Sequence, residues 1–106
     1  MQFAIVYVTA ADMSEAKRIG RTLVEERLAA CANCFAGMQS VYRWEGKLEE
    51  GTEAVLIAKT RSSLVEAVVE RVRKLHSYAV PCVVSWPIAQ ANPEYLEWLE
   101  QNTQEQ

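Results

Sequence analysis

The chain has one histidine, His76, so one copy cannot assemble a site built on several histidines. A histidine-dependent triad would have to use that same residue, and no serine or cysteine carries a nucleophile signature around it. Four glycines supply no phosphate-cradling loop. Three cysteines, Cys31, Cys34 and Cys82, are too few and odd in number for a disulfide framework. Reduced thiols, and with them a cytoplasmic location, are the expectation. The formal charge of −3 and the lack of a basic stripe argue against nucleic acid. Arg71, Arg73 and Lys74 share their segment with Glu66 and Glu70 and read as a solvated face. No apolar run approaches the ~20 residues of a membrane span. Phe3 to Ala11 is apolar, but Met1-Gln2 lacks a basic leader region, so no signal peptide is expected.

What the chain has in quantity is apolar surface: half of its 106 residues are hydrophobic. One domain, residues 1–106, fits that length, and such a domain buries roughly 65% of its extended-chain surface. The excess points to a subunit interface.

Phe3-Ala-Ile-Val-Tyr-Val-Thr9 is β-branched and aromatic and predicts a first strand. Asp12 and Glu15 have capping-box spacing, and Ala16, Ile19, Leu23, Val24 and Leu28 form the apolar stripe of a helix. Cys31 to Phe35 returns to strand, breaks at Gly37 and resumes through Val41 to Trp44. Glu45-Gly46 predicts a tight hairpin, and the chain comes back through Leu48 and, after a break at Gly51, from Glu53 to Thr60. Ser63 and Glu66 suggest a second capping box, opening a helix with Leu64, Val65, Val68, Val69, Val72 and Leu75 inward. Cys82 to Trp86 is a fourth strand. Asn92-Pro93 opens a last helix carrying Leu96 and Leu99, and fraying is expected from Gln101 to Gln106. The order is that of an α+β, ferredoxin-like βαββαβ sandwich with a C-terminal helix, its helices on one face of an antiparallel sheet.

Such a sheet should alternate apolar and polar residues. Here Phe3, Ile5 and Tyr7 oppose Ala4, Val6 and Val8, while Val55 and Ile57 oppose Leu56 and Ala58. Both faces are apolar, and the one without helices requires a partner subunit.

Few residues look chemical. Cys31-Ala-Asn-Cys34 has the spacing of redox and zinc pairs, but on a strand residues i and i+3 point to opposite faces. That favours structural cysteines. His76 ends the second helix, either as a cap or as a soft-metal ligand with Cys82 and groups from other copies. Lys59 shares a strand face with Val55 and Ile57, so it lies at a wet strand end or in a subunit cleft. Tyr42 and Trp44 suit an interface or the core. Nothing pairs a nucleophile with a base, so no enzyme is expected.

Several segments together resemble the CutA family of divalent-cation tolerance proteins. They are Tyr7-Val-Thr-Ala10, Glu26-Arg-Leu-Ala-Ala-Cys-Ala-Asn33, Ser40-Val-Tyr-Arg-Trp-Glu-Gly-Lys47, Lys59-Thr60, His76 with Tyr78 and Val80-Pro81, and Asn92-Pro-Glu-Tyr-Leu-Glu-Trp-Leu99. The resemblance implies a homotrimer similar in architecture to PII-type signalling proteins, and a link to metal tolerance, with copper or another divalent cation as ligand. It places Cys31, Asn33, Tyr42, Trp44, Lys59 and His76 around inter-subunit clefts, while His76 and Cys82 stay the candidate metal residues on the chemistry of their own side chains. The alternative it leaves open is a PII-like regulatory trimer binding a small metabolite or a protein there. The chain departs from the family pattern at Ala11, Ala36 and Ser77, where prolines are usual, and at Cys82, where a glutamate is usual. Val8 stands where some members carry a cysteine.

Overall fold

The computed structural model describes residues 1–104. Strand β1 (Phe3–Ala10) leads into helix α1 (Met13–Glu25), followed by β2 (Cys31–Trp44) and β3 (Lys47–Arg61). A 3₁₀ turn (Ser62–Leu64), helix α2 (Val65–Leu75), strand β4 (Val83–Pro87) and helix α3 (Pro93–Gln101) complete the chain. The strands form one antiparallel sheet in the order β2-β3-β1-β4, the ferredoxin-like arrangement.

Local chemistry fixes the element ends. Asp12 Oδ1 accepts from the Glu15 N–H at 2.8 Å, and Glu15 Oε1 accepts in return from the Ala11 N–H at 3.0 Å. The return arm therefore reaches one residue beyond the usual capping box. Helix α1 ends with Arg27 in the left-handed region (φ 60°), and the Leu28 N–H donates to the Leu23 carbonyl at 2.9 Å, as in a Schellman stop. Glu45 (φ 51°) and Gly46 (φ 80°) form the two-residue hairpin turn with positive φ at both positions. Gly37 (φ 87°) sits in a bulge between Phe35 and Met38.

Three expectations of local structure are revised first. Gly51 does not break its strand but pairs with Ser40 in an unbroken ladder. Ser63 lies inside the 3₁₀ turn, so the second capping box is not formed and the N-cap of α2 is Leu64. The tail does not fray at Gln101: Thr103 is buried, and the Gln104 N–H donates to the Arg27 carbonyl at 3.0 Å. Residues 105 and 106 lie outside the described residues.

Helices α1 and α2 cover one sheet face, where Val6, Val8, Leu56 and Ala58 meet Ile19, Leu23, Val68 and Val72. Gly20 lets α1 approach closely, since a Cβ there would lie 3.0 Å from Ala32 Cβ. Val24, placed by its spacing in the stripe, is exposed. Helix α3 crosses to the second face. There Phe3, Ala30 and Leu99 are buried with Ile88, Tyr95 and Leu96 against them. The expectation of helices on one face is thus corrected, because α3 caps one end of the face that the sequence pattern left open.

Candidate functional site

Register aligns the second face into rows. Trp86, Ile5, Lys59 and Cys31 form one row, and Val84, Tyr7, Ile57 and Asn33 the next. Beside α3, Lys59 Nζ donates to Asn33 Oδ1 at 3.2 Å and lies 5.6 Å from the centre of the Tyr95 ring. Cys31 Sγ is 3.6 Å from Tyr95 Oη and 3.8 Å from Asn33 Oδ1. Burial, and then the Cys31 contact, push the Tyr95 phenol up to about 12. The alternation of β2 sends Cys34 into the helix-side core, where burial raises its thiol pKa. The two sulfurs of the C-x-x-C segment thus serve different layers.

Tyr42 and Trp44 lie far along the hairpin. Eleven residues of strand separate Tyr42 from Cys31, roughly 36 Å at about 3.3 Å per residue. Cys31, Asn33 and Lys59 are brought together by one chain, and Tyr42 and Trp44 are not among them. The two aromatics instead line a cleft of about 670 Å³ with Tyr7, Glu53, Tyr78 and Cys82. Tyr78 Oη donates to Glu53 Oε2 at 2.7 Å. Burial and the adjacent Glu53 carboxylate hold the Tyr78 phenol far above its ordinary range, so it stays a donor. Tyr7 Oη contacts Met38 Sδ at 3.4 Å on the cleft wall. Neither Glu53 nor Tyr78 was singled out from the sequence as a cleft residue. Parity gives the signal for Glu53, which falls in the same alternation as Val55, Ile57 and Lys59.

The His76 side chain is fully buried and does not line that cleft. Its Nε2 lies 2.7 Å from the Thr9 carbonyl, and its Nδ1 accepts from the Tyr78 N–H at 3.1 Å. The network therefore assigns the ring hydrogen to Nε2. Glu15 lies behind it, with Oε2 accepting from the Ser77 N–H at 2.8 Å and standing 3.9 Å from His76 Nδ1. His76 thereby ties the end of β1 to the α2–β4 connection. With both nitrogens engaged, it offers a metal no lone pair unless one bond breaks. Cys82 is exposed at the cleft, its thiol pKa raised by burial and by Glu53. Among the described residues, no group of three or more His, Cys, Asp or Glu side chains is placed to hold a metal ion. The donor set of the described residues of one chain does not fit a bound cation.

A family model described as CutA1 divalent ion tolerance protein matches residues 4–102. The divalent-cation tolerance protein CutA of Thermus thermophilus is 46% identical over 99 residues, covering 93% of this chain and 96% of that protein. The solved structure of a divalent cation tolerance protein (Cut A1) from Thermus thermophilus superposes with a TM-score of 0.92 over 96% of this chain and 99% of the other, at 44% identity. The structure of CutA1 from Oryza sativa gives a TM-score of 0.96 at 43% identity, covering 100% of this chain and 97% of that one. The chain spans 57% of a chloroplastic CutA protein from rice and 54% of one from Arabidopsis thaliana.

Proposed function

The chain belongs to the CutA1 divalent ion tolerance family, and we propose that it works as a homotrimer, without catalytic machinery, in the response to divalent cations. The observation that carries the assembly is the uncovered part of the second sheet face. Phe35 on the β2 edge and Val84 and Trp86 on the β4 edge stand 50%, 48% and 45% exposed there. Further copies covering that face would remove these apolar side chains from water. The number three comes from the family resemblance. Sedimentation equilibrium of the wild type and Trp86→Glu tests the reading. A concentration-independent trimer that Trp86→Glu disperses supports it, and a monomeric wild type refutes it. The proposed location is the cytoplasm, on the composition. Among the described residues, no helix is long and apolar enough to cross a membrane.

Copper or another divalent cation is the ligand the family reading suggests. Because the described residues of one chain supply no donor set, such a cation would draw on groups from several copies. Cys82 is the thiolate source open to solvent, and a soft donor of this kind suits copper. Titration of the apo-protein with Cu(I) and Cu(II), alongside His76→Ala and Cys82→Ser, tests it. Affinity indifferent to both substitutions refutes these residues as the site.

The cleft supports a second reading, a PII-like regulatory trimer binding a small metabolite or a protein partner. Its 670 Å³ falls within the size range of small-molecule sites, and it is walled mainly by apolar and aromatic groups. A thermal-shift screen over metabolite classes checks this reading, since a ligand of the native state stabilises by mass action. No stabilising compound at saturating concentration refutes it.

A further inference from the structure

The outer face of α1 carries a row of cations that the fold does not use. Lys17, Arg18 and Arg21 are exposed, and with Met13, Ser14 and Thr22 they line a shallow groove built from this helix alone. From Ala16 to Val24 the helix holds no acid. Arg18 is partly engaged, standing 3.6 Å from Glu15 and donating to the Leu75 carbonyl at 3.0 Å. Lys17 and Arg21 form no hydrogen bond or ion pair among the described residues. Elsewhere the helices set an acid beside their cation, as in Arg71 with Glu26 and Arg73 with Glu70.

The row does nothing for its own helix. Lys17 and Arg21 are four residues apart and Arg18 and Arg21 three, so like charges are neighbours and repel. The macrodipole favours cations in the last turn, and α1 has none there. The opposite side of the helix, Ala16, Ile19 and Leu23, is buried in the core against the sheet. The row therefore faces away from the sheet, on the side opposite to the face that neighbouring copies cover in the proposed trimer.

Ligand classes separate on shape and reach. A metabolite needs a concave site, and a single helix offers a convex one. Nucleic acid needs a long basic stripe, whereas this row spans about 6 Å at about 1.5 Å per residue, with Glu25 and Glu26 following it. A helix that lies on a membrane inserts its apolar side, and that of α1 is already in the core. A short acidic stretch of polypeptide fits, because its carboxylates match the two guanidinium forks and are strung along a chain as the cations are along the helix.

We propose that the outer face of α1 docks an acidic segment of a partner protein through Lys17, Arg18 and Arg21. The proposal rests on neither the metal reading nor the cleft reading.

The test is fluorescence anisotropy of a labelled oligoglutamate peptide titrated with the assembled full chain. Binding is expected at low salt, weakening as added salt screens the charges. Lys17→Gln combined with Arg21→Gln should reduce affinity by about tenfold, the size of two exposed charge pairs. Arg73→Glu makes the same change of net charge on α2 and should leave affinity unchanged. The α1 variant should unfold at the wild-type urea concentration or above it, since a like-charge repulsion is removed. No peptide binding at millimolar concentration, which a further copy seated on α1 would also produce, overturns the proposal. So does equal weakening by Arg73→Glu, which would report net charge alone, or a destabilised α1 variant, which would make the row structural. Tighter binding of a single-stranded oligonucleotide or of phosphatidylserine vesicles than of the peptide would assign the row to a phosphate surface and overturn the acidic-segment assignment.

Discussion

Replacing Glu15 by glutamine tests how the two loops at the end of the sheet are held together. The Glu15 side chain is almost fully buried, and each carboxylate oxygen accepts one backbone N–H, from Ala11 at 3.0 Å and from Ser77 at 2.8 Å. The first of these belongs to the β1–α1 loop and the second to the α2–β4 connection. Glutamine preserves the shape but turns one acceptor into a donor, so one of the two N–H groups faces another N–H. A hydrogen bond to a charged acceptor contributes about 1.5–3 kcal/mol, and a stranded buried donor costs about 1–3 kcal/mol. Part of both losses will be recovered by small shifts, so Glu15→Gln should cost about 3 kcal/mol.

The same residue fixes the sign of an acid transition. Burial pushes the Glu15 carboxyl up, but the Ala11 and Ser77 donors and the neighbouring His76 outweigh it, so the net pKa is lowered. A folded-state pKa below the unfolded one stabilises the native state above the unfolded value, near the ordinary 4.5. That contribution is lost as the pH falls from there through the folded-state value. Urea unfolding at one fixed protein concentration measures both effects, because association would otherwise move the midpoint. The reasoning is refuted if Glu15→Gln costs less than about 1 kcal/mol at neutral pH, or if it leaves the slope of stability against pH below 4.5 unchanged.

Gly20→Ala should lower stability by about 1 kcal/mol by urea unfolding. The gain in helix propensity is about 1 kcal/mol, but a new Cβ 3.0 Å from Ala32 Cβ meets a strand atom that cannot swing away, and such overpacking costs about 1–3 kcal/mol. His76→Ala should cost about 2–4 kcal/mol in the same assay through the lost Thr9 and Tyr78 bonds and the emptied volume. It should leave copper affinity unchanged in titration, so that any metal effect falls on Cys82→Ser. Arg61→Met removes donation to Thr103 Oγ1 and to the Glu100 and Thr103 carbonyls. Hydrogen exchange should then quicken from Leu99 to Gln104 while the β1 amides stay protected.

Elements with period-two or helical spacing were legible in the sequence because burial on one side is enough to write them there. The Glu45-Gly46 hairpin was equally plain, since a two-residue turn with positive φ twice over strongly favours glycine. The Gly51 break and the Ser63 cap failed for a shared reason. Each rested on a residue's local preference, and tertiary pairing overrode it: Ser40 holds Gly51 in the ladder, and the 3₁₀ turn absorbs Ser63. The site was harder. Strand parity gives the face of Lys59 and the opposite faces of Cys31 and Cys34, but parity carries no distance along a strand. Residues grouped as one cleft therefore fall in two places on a single chain. For His76 the sequence offers a helix-end cap or a metal ligand, and the two backbone groups its ring engages, Thr9 O and Tyr78 N, leave no mark in the sequence.

The second sheet face shows where such reading runs out and what then decides. Alternation in β1 and β3 required a cover but could not say whose. Helix α3 supplies part of it, and its apolar residues Leu96 and Leu99 would look the same whichever face they met. Once α3 is placed, the question narrows to Phe35 on one edge strand, Val84 and Trp86 on the other, and the hairpin beyond. The cover of α3 also changes the meaning of Lys59. Its ammonium lies against the Tyr95 ring and the Asn33 oxygen supplied by its own chain, so it does not need a neighbour to be tolerated on an apolar face. Glu53, at the other end of the same strand face, has a tyrosine hydroxyl and, among the described residues lining its cleft, no cation. Of these two charges, the one a covering copy has to meet is therefore the carboxylate in the cleft and not the lysine.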